Sequence, residues 1–254
     1  MTTAYKLDHL IATHPHKKFF EEDGKMIKLF DHDYSMANIL NEALNQARVA
    51  EETDLPIPKL LEVTTINGQI AIVNEFIPGK TIRELMTENP ANLDQYLNQL
   101  VDIQMEIHAK KCPMLNSQFL KFYRKIAESP FDATTRYDLH SRLDAMKRHD
   151  KICHGDFNPS NVIIRPDGSY YIIDWSHVTQ GNASADVART YLMLCMRHEN
   201  DLADKYMDLF CKKSDTAKQY VQKWLPIVAA SQYGRSKPDE QEMLAQWINV
   251  VDYE

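Results

Sequence analysis

The stretch from Cys153 to Trp175, CHGDFNPSNVIIRPDGSYYIIDW, concentrates the oxygen-bearing side chains of this sequence. Asp156 lies just before one apolar run, NVIIR, and Asn161 opens that run. Asp174 stands at the end of a second run, YYIIDW. Between them, Arg165-Pro166-Asp167-Gly168 puts proline and glycine where a type I turn wants them, which predicts a hairpin. Folding that hairpin brings Asp156, Asn161 and Asp174 to one end. Two carboxylates and an amide suit a hard cation, since Mg²⁺ takes a few protein oxygens together with substrate phosphates. One of the carboxylates can instead accept a proton from a hydroxyl nucleophile.

A second residue with chemical potential is Lys28, placed between Ile27 and Leu29 in the run KMIKLF. An ammonium in an apolar strand is costly unless it finds a partner. The elements that must hold these groups can be read from periodicity and turn residues. KKFF and KMIKLF flank Glu-Glu-Asp-Gly, a hairpin signal. Residues 35–51 read as a helix capped by Ser35, and Pro56 and Pro58 start an extended run. Asn67-Gly68 predicts a tight turn with two positive φ angles before the return strand QIAIVNEFI. Beyond Pro78-Gly79 the apolar residues take helical spacing, as in Leu93, Tyr96, Leu97, Leu100 and Val101, and later in Leu202, Tyr206, Leu209 and Phe210. The reading is an α+β protein: a small antiparallel-sheet lobe over 1–77 and a larger, mainly helical lobe over 78–254. Pro78-Gly79 is the expected hinge, and a cleft between two such lobes is a natural ligand site.

Composition narrows the function classes. The chain has 254 residues, 44% hydrophobic and 26% charged, with a formal net charge of −7. That balance is globular and argues against a nucleic-acid partner. No 18-residue apolar run and no signal-peptide pattern is visible, so no membrane partner and a cytoplasmic location are expected. Cys112, Cys153, Cys195 and Cys211 form no C-x-x-C pair and read as reduced thiols. His14-x-His16 lacks a third metal ligand in sequence and is not read as a zinc site. The absence of a heptad or large apolar stripe points to a monomer.

The order His154-Gly155-Asp156-x-x-x-x-Asn161, followed by Ile173-Asp174-Trp175, resembles the signature of the aminoglycoside phosphotransferase and choline kinase-like family. The resemblance implies a protein-kinase-like fold and the transfer of the γ-phosphoryl of ATP, or GTP, to a hydroxyl of a small acceptor. It implies Asp156 as catalytic base and Asn161 and Asp174 as ligands of Mg²⁺. His154, with Gly155, supports the catalytic loop, and Asp186, in Ala185-Asp186-Val187-Ala188, opens a helix and hydrogen-bonds that loop's backbone. Lys28 is then a phosphate-binding lysine paired with Glu42. The carbonyl of Glu75 and the N–H of Ile77 receive the purine edge. A protein kinase-like enzyme is the nearest alternative, disfavoured by the dozen residues between Asp174 and Asp186, which leave little room for an activation loop. A non-catalytic nucleotide-binding or scaffold protein is the other.

One feature departs from the family pattern. The sequence holds only 7 glycines, against roughly 18 at average usage. None lies in the hairpin expected to cover the phosphates, Ile11–Lys18, which carries Pro15 instead. Glycine lets backbone approach phosphate closely, so Lys17 or Lys18 is a candidate to supply charge in its place, with two solvated lysines as the simpler reading. The acceptor is less legible. Asp201, Asp204, Asp208, Asp252 and Glu254 are candidate partners for a cationic acceptor, and Tyr191, Trp224, Tyr233 and Trp247 are candidate walls, with surface and core roles as the simpler readings.

Overall fold

The computed structural model describes residues 5–234 and 236–248. In chain order, three strands come first: β1 (His9–His14), β2 (Lys17–Glu22) and β3 (Lys25–Phe30). Helix α1 (Met36–Glu52) follows, then β4 (Leu60–Ile66), β5 (Gln69–Glu75), the short β6 (Lys80–Thr81) and α2 (Ile82–Glu88). Three helices, α3 (Leu93–Ala109), α4 (Gln118–Ala127) and α5 (Ala133–Ala145), precede four short strands. These are β7 (Lys151–Cys153), β8 (Val162–Ile164), β9 (Tyr170–Ile172) and β10 (Thr179–Gly181). Helices α6 (Ala183–Met196), α7 (Asn200–Ser214), α8 (Lys218–Gln222), α9 (Leu225–Tyr233) and α10 (Pro238–Ile248) complete the order.

The chain forms two compact units. One runs up to Pro90 and takes in Pro159–His177; the other comprises Ala91–Asn158 and the chain from Val178 onward. So β6, α2 and the β8–β9 hairpin, all beyond residue 77, pack with the first unit.

In the first unit five antiparallel strands lie in the order β1-β2-β3-β5-β4. Alternation along β3 sends Ile27 and Leu29 to one face, where they join Phe20, Ile66, Ala71 and Val73. Phe30 goes to the other, with Ile72 and with Ile39 and Ala43 of α1. Lys28 shares the Phe30 face by the same period of two. Ser35 caps α1 by accepting the Asn38 N–H, as its position predicts. Asn67 and Gly68 both take positive φ, +50° and +82°, as the expected turn requires. Thr81 and Glu84 form a reciprocal capping box at the start of α2.

Gly79 was read as a hinge. Its backbone does not adopt positive φ; what it provides is close approach. β6 pairs antiparallel with β8, and a Cβ on Gly79 would sit 2.4 Å from the Ile164 carbonyl oxygen and 2.8 Å from the Ile163 side chain. Backbone cannot yield as a side-chain tip can, so only glycine fits.

The second unit is built around α6, buried on nearly every side. Helix α3 buries Leu97, Leu100, Val101, Gln104 and Ile107, the face its spacing predicts, and packs on β7 and α7. β7 pairs antiparallel with β10 through Cys153 and Thr179 and carries the chain into the segment His154–Asn158. No described helix is long and apolar enough to cross a membrane. Gly79→Ala should cost about 2 kcal/mol, read as a lowered urea midpoint at unchanged slope, whereas Gly168→Ala, with open space around its Cβ position, should cost about 1 kcal/mol through its positive φ alone.

Candidate active site

The chemistry-bearing residues of the first unit gather around Lys28. Its ammonium is 5% exposed and rests between the Phe19 and Phe30 rings, each centroid 5.6 Å away. It donates to the Glu42 carboxylate, which α1 presents from mid-helix, and Asp174 Oδ1 lies 3.6 Å from it. Burial alone would lower the Lys28 ammonium; Asp174 and Glu42 outweigh that and hold it above the ordinary lysine value. Burial lifts the Glu42 carboxyl above its usual range, against the pull of Lys28. For Asp174 the balance goes the other way: Lys28 and Lys17 overcome burial and keep its carboxyl far below the usual range.

Local backbone explains why Asp174 points here. It follows β9 in the left-handed region, φ +62°, a conformation aspartate tolerates better than most residues. The next residue, Trp175, is fully buried and its indole N–H donates to the Ile172 carbonyl at 3.0 Å, fixing the turn. Ile173 N–H donates to the Asn161 carbonyl at 3.0 Å, so the hairpin sets Asn161 beside the chain that leads to Asp174. Asp174 Oδ1 is buried and has no hydrogen-bond partner among the described residues. A carboxylate oxygen left so, beside a buried amide residue, fits a cation ligand.

The two lysines of the glycine-free hairpin are distinguished by register. Phe19 faces Lys28 and Lys17 faces Phe30 across β2 and β3, so Lys17 lies on the Lys28 side of the sheet and Lys18, opposite Leu29, on the other. Lys17 is half-buried and Lys18 exposed. Burial, then the like charge of Lys28, lower the Lys17 ammonium from its ordinary value. The turn between β1 and β2 is Pro15-His16, with His16 at φ +62°, where glycine would be usual. His14 packs edge-on against Phe19, while His16 Nδ1 lies 3.9 Å from Asp31 and 3.7 Å from Asp33, carboxylates that the sequence spacing did not suggest. All three of these groups are exposed. Glu75 ends β5 and Ile77 is buried just beyond it.

In the second unit the segment His154–Asn158 hangs on one carboxylate. Asp186, in the first turn of α6 and 1% exposed, accepts Gly155 N–H at 2.7 Å and His154 N–H at 3.2 Å. His108, from the last turn of α3, meets it through Nε2 at 3.0 Å. Gln104 reaches Asp186 at 3.4 Å, and Thr190 donates to the Phe157 carbonyl at 2.7 Å. Burial would raise the Asp186 carboxyl; the His108 hydrogen bond and charge, His154 and the Gly155 N–H outweigh it and hold it below the ordinary value. His154 itself is buried and its Nδ1 accepts the Asp156 N–H at 3.3 Å. Asp156 remains partly exposed, and Arg189 Nη2, one helical turn beyond Asp186, lies 3.7 Å from its Oδ1.

Residues 17–222 match the phosphotransferase enzyme family. The chain belongs to that family. It is a phosphotransferase whose acceptor is an alcohol group. Solved structures share its protein-kinase-like fold. A thermostable mutant of aminoglycoside phosphotransferase APH(4)-Ia in apo form superimposes with a TM-score of 0.68 at 16% identity, covering 94% of this chain and 92% of that one. A variant of that mutant, in ternary complex with AMP-PNP and hygromycin B, gives 0.66 at 15% identity, with 94% and 89% covered. The choline kinase LicA from Streptococcus pneumoniae gives 0.61 at 14% identity, with 95% and 94% covered. No curated protein matches the sequence.

Several residues of this phosphotransferase had no sequence signal strong enough to single out their contacts. Nothing in the sequence singles out His108, yet it is a direct partner of Asp186. Arg189 went unremarked; its i+3 relation to Asp186 puts it on the same helix face and is the cue available in sequence. Of the acceptor candidates, Asp208 pairs with Lys218 at 2.6 Å and Asp204 accepts the Tyr191 hydroxyl at 3.1 Å. Trp224 is buried against Phe122, Tyr233 packs at a tilt on Phe131, and Tyr191 meets Trp247 edge-on. Asp252 and Glu254 lie outside the described residues. Cys153 is buried, and burial pushes its thiol up, so it is an inert core residue.

Asp186→Ala strands His108 and two backbone donors, and should destabilise the protein by about 3 kcal/mol in urea denaturation. Since the folded carboxyl ionises below the ordinary aspartate value, its contribution is complete above about pH 4 and falls away as pH drops through and below it. The stability difference between the wild type and Asp186→Ala should therefore narrow in denaturation series run toward pH 2.

Proposed function

We propose that this chain transfers the γ-phosphoryl group of ATP, or GTP, to a hydroxyl of a small-molecule acceptor, with Asp156 as the base. The observation that carries the reading is the buried Lys28 held between Glu42 and Asp174, with a carboxylate oxygen of Asp174 left without a hydrogen-bond partner among the described residues. Such a group of charges is suited to phosphate oxygens and a divalent cation. Nucleotide binding belongs to residues 1–77, and catalysis and acceptor binding to 78–254. The backbone of Glu75 and Ile77 receives the purine.

Asn161 and Asp174 are the residues that would hold Mg²⁺, which when bound supplies positive charge on the phosphate oxygens. The protein's own part is positioning. Glu42 fixes the Lys28 ammonium, which stays charged and meets the phosphates. Asp156 accepts the proton of the acceptor hydroxyl as its oxygen forms a bond to the γ-phosphorus, and the bond from that phosphorus to the leaving nucleoside diphosphate breaks. Arg189, 3.7 Å from the Asp156 carboxylate, helps to position it. Asp186 and His154 keep the loop that carries Asp156 in place. The neighbours' printed aminoglycoside, hygromycin B and choline specificities suggest a cationic or polyhydroxylated acceptor.

Turnover of a panel of amino-sugars, amino alcohols and sugars with ATP and Mg²⁺ tests the reading. Asp156→Asn should lower kcat with the responding acceptor by roughly 10²–10⁴ while nucleotide affinity holds. Nucleotide binding with no turnover on any acceptor would favour a non-catalytic role. Lys17→Ala should weaken nucleotide affinity by about tenfold, and Lys18→Ala should leave it unchanged, because only Lys17 shares the Lys28 face. Equal effects from the two, in calorimetric titration, would contradict that placement.

A further inference from the structure

The second unit contains a pocket of about 510 Å³ that the phosphotransfer chemistry does not use. It is bounded by the end of α3, the β7 start, the α6 start and the α7–α8 connection. Its volume falls in the range of small-molecule sites. Its walls are of two kinds. Met105, Phe210 and the ring of Tyr220 give it an apolar side. Lys147 and Lys151 give it a cationic side, and neither has a carboxylate within ion-pair distance among the described residues. Asp150, beside Lys151 in the chain, pairs instead with Lys111 at 2.8 Å. His149 stands among the same lining residues, and burial followed by the charges of Lys147 and Lys151 pushes its imidazole down. One carboxylate, Asp215, is part of the lining.

The pocket also touches the support of the catalytic loop. His108 is a lining residue, 4% exposed, and its Nδ1 is buried without a hydrogen-bond partner among the described residues. Its other nitrogen, Nε2, holds Asp186, whose two oxygens hold the amides of His154 and Gly155. One imidazole and one carboxylate thus link the pocket to the backbone that carries Asp156.

We propose that this pocket binds a small organic anion, an aromatic or aliphatic body bearing a phosphate monoester or carboxylate, and that its occupancy is transmitted through His108 and Asp186 to residues 154–155. The anionic group meets Lys147 and Lys151, and the apolar body lies against Met105 and Phe210. A charged group that finds two unpaired ammonium groups gains more than a neutral one of equal area. A ligand beside His108 changes the surroundings of an imidazole that already lacks one partner, and so changes its hold on Asp186.

The probe is 1-naphthyl phosphate, followed by its intrinsic fluorescence, with 1-naphthol as the neutral analogue. The expected result is saturable binding that weakens at least tenfold in Lys147→Ala/Lys151→Ala and is unchanged in Lys28→Ala. The naphthol should bind at least tenfold more weakly than the phosphate. In hydrogen exchange read by mass spectrometry, the peptide covering residues 153–158 should change its protection on binding, and should not do so in the double variant. Absence of saturable binding, equal binding of naphthol, or loss in Lys28→Ala with none in the double variant would overturn the site. Binding with no exchange change at 153–158 would overturn the transmission. Since none of these readouts involves phosphoryl transfer, the pocket stands or falls apart from the proposed activity.

Discussion

A positive charge buried in a sheet is the constraint on which the first unit depends. The Lys28 ammonium sits among Phe19, Phe30 and the α1 face, where an isolated charge would cost several kcal/mol. Glu42 answers it at short range, and Asp174 adds a second carboxylate at 3.6 Å. Lys17 lies on the same face and also acts on Asp174, so two ammonium groups face two carboxylates, and an oxygen of Asp174 is left without a hydrogen bond among the described residues. That unpartnered oxygen is what the proposed Mg²⁺ role of Asp174 requires. The elements serve this arrangement: β3 carries the lysine, α1 the glutamate, and the β8–β9 hairpin the aspartate at its left-handed turn.

A second buried charge organises the other unit by a different rule. Asp186 is satisfied by histidine, glutamine and two backbone amides. It is a structural anion whose partners are the loop itself, so removing it unties the loop and leaves its donors buried. Asp156, the proposed base, is by contrast partly exposed and faced by Arg189. One carboxylate is buried to hold the backbone, and the other is left accessible to react.

The sequence makes some of this legible for physical reasons. The hairpin of residues 161–174 is readable because turn residues and apolar runs act locally, and Asn67-Gly68 because its two positive φ angles restrict the residue choice. Lys28 stands out because a charge in an apolar strand demands an explanation. The Glu42 pairing came with the family resemblance; nothing local distinguishes it from a solvated helix face. His108 and Arg189 were not legible, since their partners, Asp186 and Asp156, lie far from them in the chain. The choice of Lys17 over Lys18 required the strand register, because a shift of one residue exchanges the faces. Gly79 illustrates the same limit: glycine in sequence suggests freedom, whereas here it permits contact with the Ile164 backbone. Where glycine is missing from the first hairpin, the turn is made by Pro15-His16, and the strand that follows presents Lys17 on the Lys28 face.

The most direct test of the central claim is the dependence of nucleotide affinity on Mg²⁺, measured by calorimetric titration with AMP-PNP in the wild type and in Asp174→Asn. The account predicts that Mg²⁺ strengthens binding to the wild type by at least tenfold and that this gain disappears in the variant, which retains binding without the metal. A gain of the same size in both proteins would contradict the assignment of Asp174 and, with it, the reading of the Lys28–Glu42–Asp174 group as a cation site.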